Sequence, residues 1–277
     1  VRNDMTGFFQ RMTADNGGKT QKLMVYAPAR SLSLVPETDV TPYETYDIDV
    51  SAPGFVSVYI KGTQVFAGEE TVQNVSMVPL PEGVTRSDAS QEIIIPRSTL
   101  LMDDIRWQGE GKDTQRIQKE VFIPAKIKVH LGTPTSSADN VSVDFVDYIK
   151  NVASSEIYPT WPEGALKANI LAEISLALNR IYTEHYPARG YDFDITSSPS
   201  YDQAYVYGRN IFESISLIVD EIFNEYIRKK GYTEPLASTY CNGTTSTCPG
   251  MSQWGSKALA DEGKSALYIL KYYYGDV

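Results

Sequence analysis

Ser155-Glu156-Ile157-Tyr158-Pro159-Thr160-Trp161-Pro162-Glu163-Gly164-Ala165-Leu166-Lys167-Ala168-Asn169 decides how this chain is read. A carboxylate stands before a rigid turn built from two prolines and two aromatic residues, and the turn opens onto a helix. Over residues 162–182, Leu166, Ile170, Ile174, Leu178 and Ile181 recur at helical spacing, which predicts an amphipathic helix. Pro162 suits its first turn, where a missing N–H costs nothing. On the other side, residues 147–153 predict a short helix leading to Glu156.

Working outward, residues 210–228 predict a second amphipathic helix, with Ile211, Ile215, Ile218, Val219, Ile222 and Tyr226 on one face. Two short helices follow at 252–262 and 265–273, each ended by a glycine, Gly263 and Gly275. Upstream, residues 121–124, 127–131 and 141–145 read as strands, so 121–277 is a mixed α+β domain. Residues 1–80 show only short strands. Residues 7–12 and 19–25 flank the turn cluster Asp15-Asn16-Gly17-Gly18, a hairpin signal. Residues 46–51 alternate with period two and return through Ala52-Pro53-Gly54 into 55–60. This spacing predicts a small antiparallel β-sandwich, a binding or spacer module. Residues 81–120 are rich in Pro, Ser, Gly and charge, with only 92–95 strand-like, and read as a linker. The fold class is therefore α+β: a sandwich over 1–80, a linker over 81–120, and the mixed domain over 121–277.

A length of 277 residues suits two domains. A net charge of −10 argues against a nucleic-acid backbone as partner but leaves a neutral or mixed-charge polymer open. No apolar run reaches the length of a membrane span. The chain opens at Val1 without a charged-then-apolar leader, which fits a removed leader or a fragment. Nineteen tyrosines, against nine phenylalanines, suit surfaces that touch sugars or proteins, and equally suit packed strands and helix faces.

Neither a glycine-rich phosphate loop nor an HExxH pair is present. His130 lies in a strand and reads as a packing residue; His185 sits at a helix end, where the dipole favours a cation. Among the carboxylates, Glu156 stands out, because its apolar and small neighbours can desolvate it and raise its pKa, as a general acid requires. Glu163 in a first helical turn is explained by the helix dipole, and Asp192, Asp194 and Asp202 have weaker claims. Cys241 and Cys248 bracket a polar six-residue loop, which fits either a small disulfide or half a metal site. No Cys or His lies nearby in sequence to complete a zinc set, so a disulfide is favoured if the protein is extracytoplasmic; no cofactor is expected, with zinc the open but less favoured alternative. Tyr158, Trp161 and Trp254 lie beside turns, placed either to pack or to stack on sugar faces.

Two motifs carry a family resemblance. The first is Val152-Ala153-Ser154-Ser155-Glu156-Ile157 followed by Trp161-Pro162-Glu163-Gly164-Ala165-Leu166-Lys167-Ala168-Asn169. The second is Gly250-Met251-Ser252-Gln253-Trp254-Gly255-Ser256-Lys257-Ala258-Leu259-Ala260, ending in Ile269-Leu270-Lys271-Tyr272-Tyr273-Tyr274-Gly275. Between them, Asp202-Gln203-Ala204-Tyr205 echoes a Gln-x-Tyr element. Residues 145–277 thereby resemble a SpoIID/LytB domain, found in sporulation proteins of the peptidoglycan lytic transglycosylase type and in amidase-enhancer proteins. The resemblance implies non-hydrolytic cleavage between N-acetylmuramic acid and N-acetylglucosamine, giving a 1,6-anhydro end. It makes Glu156 and Lys167 the catalytic residues, with Asn169, Tyr158, Trp161, Gln203, Ser252 and Gln253 on the substrate. It implies an extracytoplasmic protein of a bacterial envelope or its surroundings. The implied partners are peptidoglycan strands and, through the sandwich, other envelope proteins. Residues 13–20 and 46–55 resemble transthyretin-like or carboxypeptidase-regulatory-like sandwiches. Two departures bear on activity. Ile174 stands where the family has arginine on the long helix. Ser246-Thr247-Cys248-Pro249 replaces a histidine-bearing run near which some relatives bind zinc. A wall-binding or amidase-regulating protein without cleavage, or a structural envelope protein, are the alternatives.

Overall fold

The computed structural model describes residues 1–36, 40–84, 90–102 and 118–277. The chain divides into two units, one formed by 1–96 with 207–213 and one by 97–206 with 214–277. Both helices and sheets are present, and the fold is α+β.

In the first unit, the period-two run becomes β3, Glu44–Val50, which turns at Gly54 and pairs antiparallel with β4, Ser57–Val65. A bulge interrupts the pair between Tyr46 and Ile48. Opposite it sits Gly62, at φ +83°, whose N–H donates to Asp47 Oδ1 at 3.1 Å. A Cβ on Gly62 would lie 2.7 Å from the Ile95 carbonyl, so backbone conformation and space both demand glycine. β1, Arg2–Asn3, and β2, Phe8–Phe9, extend one side, and β6, Ser90–Ile94, joins the other parallel to β4. The five-stranded order is β2-β1-β3-β4-β6. Val58, Ile60, Ile93 and Ile95 form its buried core, packed by Ile48, Val50, Val75 and Met77. A two-stranded ribbon completes the unit: β5, Thr71–Val72, pairs with β10, Ile211–Phe212.

The hairpin expected between 7–12 and 19–25 is not formed. Asp15 does make the turn, its Oδ1 accepting from the Gly17 and Lys19 N–H groups. The returning segment is exposed over 19–22 and carries no strand, and Phe8–Phe9 pairs instead with Arg2–Asn3. With no buried face, 19–25 has nothing to repay the ordering of a strand. The strand-like residues 92–95, expected as part of a linker, lie largely in β6. Of that linker, 85–89 and 103–117 lie outside the described residues.

In the second unit, β7, Lys126–His130, pairs antiparallel with β8, Asn140–Asp144, and parallel with β9, Ile195–Thr196. α1 runs from Phe145 to Glu156, longer than the expected 147–153. α2, Glu163–Tyr182, matches its expected span, except that Pro162 is the N-cap residue and not part of the first turn. Its carbonyl accepts from the Ala165 and Leu166 N–H groups. The expectation of an amphipathic α2 is corrected. Every residue from Ala172 to Arg180 is buried, polar ones included, because α1, α4 (Gln253–Asp261) and α5 (Ala266–Tyr274) surround it. α3, Glu213–Ile222, is shorter than the expected 210–228, since Ile211 and Phe212 are a strand. β11, Tyr240–Cys241, pairs parallel with β12, Met251–Ser252. α4, Gln253–Asp261, and α5, Ala266–Tyr274, close the chain, N-capped by Ser252 and Ser265. Gly164 lets α2 begin against the α4–α5 turn, where a Cβ would meet the Lys264 carbonyl at 2.8 Å. Among the described residues, no helix is long and apolar enough to cross a membrane.

Candidate active site

α1 ends at Glu156, which is 3% exposed. Two groups from distant sequence hold its carboxyl. The Ala204 N–H donates to Oε1 at 2.7 Å, and the Tyr240 hydroxyl donates to Oε2 at 2.6 Å. The Ala204 loop is itself pinned to α1. Asn151 donates through Nδ2 to the Val206 carbonyl at 2.8 Å and accepts at Oδ1 from the Val206 N–H at 2.9 Å. Gln203, fully buried, ties the remaining pieces together. Its Oε1 accepts from the Tyr148 hydroxyl, and its Nε2 donates to the Glu173 carbonyl and to the Tyr240 hydroxyl, each at 3.0 Å.

Burial pushes the Glu156 carboxyl up to about 7, against the Tyr240 and Ala204 hydrogen bonds, which favour the ionised form. A second carboxyl lies near it. Glu173 on α2 is 0% exposed, and neither of its carboxyl oxygens has a hydrogen-bond partner among the described residues. Burial holds its pKa well above the usual carboxylate range, and the neighbouring Glu156 adds to that. Both effects favour the neutral acid, since burial penalises the charged form and a second carboxylate beside Glu156 is repelled. Burial likewise raises the Tyr240 and Tyr148 hydroxyls well above their ordinary value, so both remain donors.

A cavity of about 50 Å³ opens beside Glu156. It has room for a few waters or one polar group of a larger ligand. Its hydrogen-bonding wall consists mainly of hydroxyl and amide groups, from Thr99, Thr239, Tyr240, Asn242, Ser246 and Gln253. Asp202 also lines it. Asp202 is neutralised by Arg180, whose Nε donates to Oδ1 at 2.7 Å, while Tyr186 and Thr196 satisfy Oδ2. Such a wall suits the hydroxyl and acetamido groups of an uncharged sugar.

The residues expected at the site are distributed unevenly. Glu156 and Gln253 line the cavity together; the Gln253 Nε2 donates to the Glu156 carbonyl at 3.3 Å. Gln203 stands behind Glu156, as described. Lys167 lies away from the cavity lining and is paired with Glu163 and with Glu221 on α3, both at 2.7 Å. Asn169 is buried, with Nδ2 donating to the Ala165 carbonyl and to Ser256 Oγ. Tyr158 and Trp161 are 2% and 3% exposed and pack with Trp254 in a ring cluster, centroids 4.8–5.9 Å apart. Ser252 caps α4 by accepting from the Gly255 N–H at 2.9 Å. His130 is held by Asn140 and Ser136 and stacks on Phe193. His185 is not a cation at a helix end, as the dipole would favour. Burial, with Arg180 and Arg189 beside it, lowers its pKa to about 3.

Cys241 and Cys248 are joined in a disulfide. Among the described residues, no three or more of His, Cys, Asp and Glu gather to hold a metal ion. With both sulfurs bonded to each other, the residues here do not fit a zinc site.

Tyr240 and Glu173 are the members of the site that sequence reading missed. Tyr240 is 84 residues from Glu156 and meets it only through the fold. Glu173 left one visible signal, a lone carboxyl among the apolar residues of α2.

A buried carboxyl with a raised pKa, backed by amide and tyrosine donors beside a polar cavity, is an arrangement chemically able to hold and release a proton. The family model described as SpoIID, Stage II sporulation protein, matches residues 136–222, and this part of the chain is similar to that family. The matched stretch holds Glu156, Lys167, Asn169, Glu173 and Gln203, while Tyr240, the disulfide and the second motif lie beyond it. No curated protein and no solved structure matches the chain.

Proposed function

We propose that this protein cleaves the glycan strands of peptidoglycan as a lytic transglycosylase, outside the cytoplasm, in cell-wall remodelling linked to sporulation. The observation that carries this reading is the Glu156 carboxyl, buried, raised to about 7 and set beside the cavity. At neutral pH a large fraction of it is protonated, as a general acid must be. Glu156 gives its proton to the glycosidic oxygen as the bond to the muramyl anomeric carbon breaks. The resulting carboxylate takes the proton of the muramyl C6 hydroxyl as that oxygen bonds to the same carbon. The proton is returned, the nucleophile belongs to the substrate, and no second carboxylate is needed to activate water. Tyr240 and the Ala204 N–H stabilise the carboxylate that exists between the two transfers. Gln253 lines the wall that receives the sugar. Lys167, engaged by Glu163 and Glu221, braces α2 against α3 in this reading and does not reach the scissile bond.

Glu156→Gln keeps the shape of the side chain and removes the proton. It is expected to lower the release of anhydro-muramyl ends by roughly 10²–10⁴-fold. Cleavage by the unaltered protein is expected to fall as pH rises through about 7, because the acid form is lost. No anhydro product from either intact or stem-stripped peptidoglycan would overturn the reading.

A second reading, wall binding without cleavage, rests on Ile174. This residue is fully buried where the resembling family carries an arginine, so the site lacks that cation. Retention on peptidoglycan without product, equal in the protein and in Glu156→Gln, would establish it.

A further inference from the structure

Cys241 directly follows Tyr240, the residue that donates to Glu156. Both half-cystines line the cavity, together with Asn242, Ser246 and Thr247 of the loop they close. One wall of the cavity is therefore a covalent ring. The other ties of that ring are polar and mostly local. β11 is two residues long. Inside the loop, the Asn242 Oδ1 accepts from the Thr244 N–H, the Ser246 N–H and the Ser246 hydroxyl. Residues 243–247 bring no large apolar side chain, and Thr244, Thr245 and Thr247 are exposed. Exposed polar turns of this kind open at little cost unless they are tied. The ties to the rest of the domain are those of the near limb, where the Asn242 carbonyl accepts from the Trp254 N–H at 3.1 Å and the Thr239 carbonyl from the Met251 N–H at 3.1 Å, and one long hydrogen bond from the loop tip, where the Thr245 hydroxyl donates to the Met102 carbonyl at 3.4 Å.

We propose that the Cys241–Cys248 disulfide is a redox latch on the site: closed, it holds the cavity wall and sets the Tyr240 hydroxyl on Glu156; reduced, it releases the wall. Tyr240 is the positioning residue through which the latch acts. The reductant is a dithiol. It supplies two electrons and two protons, the S–S bond breaks into two thiols, and the dithiol becomes the disulfide. With the latch open, the limb at 246–248 leaves the cavity and water reaches the Glu156 carboxyl. The site is thus complete only in oxidising surroundings. The effect on cleavage rests on Glu156 being the general acid; the opening of the loop does not.

The test compares the full chain oxidised, the full chain after dithiothreitol with both thiols titrated as free, and the variant Cys241→Ser/Cys248→Ser. Two quantities are read in each: amide hydrogen exchange, and release of anhydro-muramyl ends from peptidoglycan. Reduction is expected to speed exchange of the Met251 and Trp254 amides at least tenfold, to leave α2 protected, and to lower cleavage at least tenfold. The serine variant is expected to match the reduced protein and to ignore dithiothreitol. Unchanged exchange at Met251 and Trp254 in the fully reduced protein overturns the proposal. So does loss of α2 protection along with the loop, because the disulfide is then a general support of the domain. If the oxidised protein releases no anhydro ends at all, the general-acid reading fails, and the exchange pattern alone decides on the latch.

Discussion

Glu156 and Glu173 are neighbouring buried carboxyls, yet among the described residues one is hydrogen-bonded twice and the other not at all. Their titrations therefore have different consequences. The Tyr240 hydrogen bond favours the ionised form of Glu156 and holds its pKa below what burial alone would give. Removing it in Tyr240→Phe is expected to move the falling limb of the pH–rate profile to higher pH, with lower kcat because the intermediate carboxylate loses a donor. Glu173 bears on stability. Its folded pKa is raised, so the native state keeps a proton that the unfolded chain releases near the ordinary 4.5. The native state then binds more protons than the unfolded one, and stability falls as pH rises above about 4.5 toward the folded pKa. Glu173→Gln removes that dependence. In denaturant titrations at several pH values, the stability of the variant relative to the parent is expected to increase steadily from pH 5 to pH 8. Glu156 was legible in the sequence because its neighbours are apolar and its turn is rigid. Its partners were not, since a hydrogen bond across 48 or 84 residues leaves no local pattern.

At the scale of elements, helices were read more faithfully than strands. The α2 span and the glycine stops after α4 and α5 follow from local spacing. Its surroundings do not: periodic isoleucines and leucines marked one apolar face, while Ala172, Ser175, Ala177 and Asn179 are small or polar and buried all the same. Small side chains let neighbouring helices approach on every side, which a hydrophobicity pattern cannot register. The start of α3 was misplaced because Ile211 and Phe212 fit a helical face as well as a strand. Within β4, Gly62 is the most exacting position. Gly62→Ala forces a side chain into left-handed backbone and against the Ile95 carbonyl. A loss of roughly 2–3 kcal/mol is expected in chemical denaturation of the first unit. The disulfide closes so short a ring that the chain-entropy account gives it only about 2.5 kcal/mol.

Taken whole, the molecule was legible as α+β, and the SpoIID match falls within the stretch read as the mixed domain. What the sequence concealed is that residues 207–213 belong to the first unit, although the chain on both sides of them belongs to the second. Their attachment is specific. The Asn210 Nδ2 donates to the Gln64 carbonyl at 3.2 Å, the Phe212 ring meets Phe66 edge-on at 5.3 Å, and Gln73 donates to the Gly208 carbonyl at 2.9 Å. Phe212 is 0% exposed, so Phe212→Ala is expected to cost the first unit about 3–5 kcal/mol, read as an earlier unfolding transition of that unit in calorimetry.

That excursion also orders events during synthesis. A ribosome delivers β5 early, but its partner β10 is made about 140 residues later, after α1 and α2 have been synthesised. The amino-terminal unit, usually the first to be finished on a nascent chain, must here wait with the edge of β5 open until residue 213 has emerged.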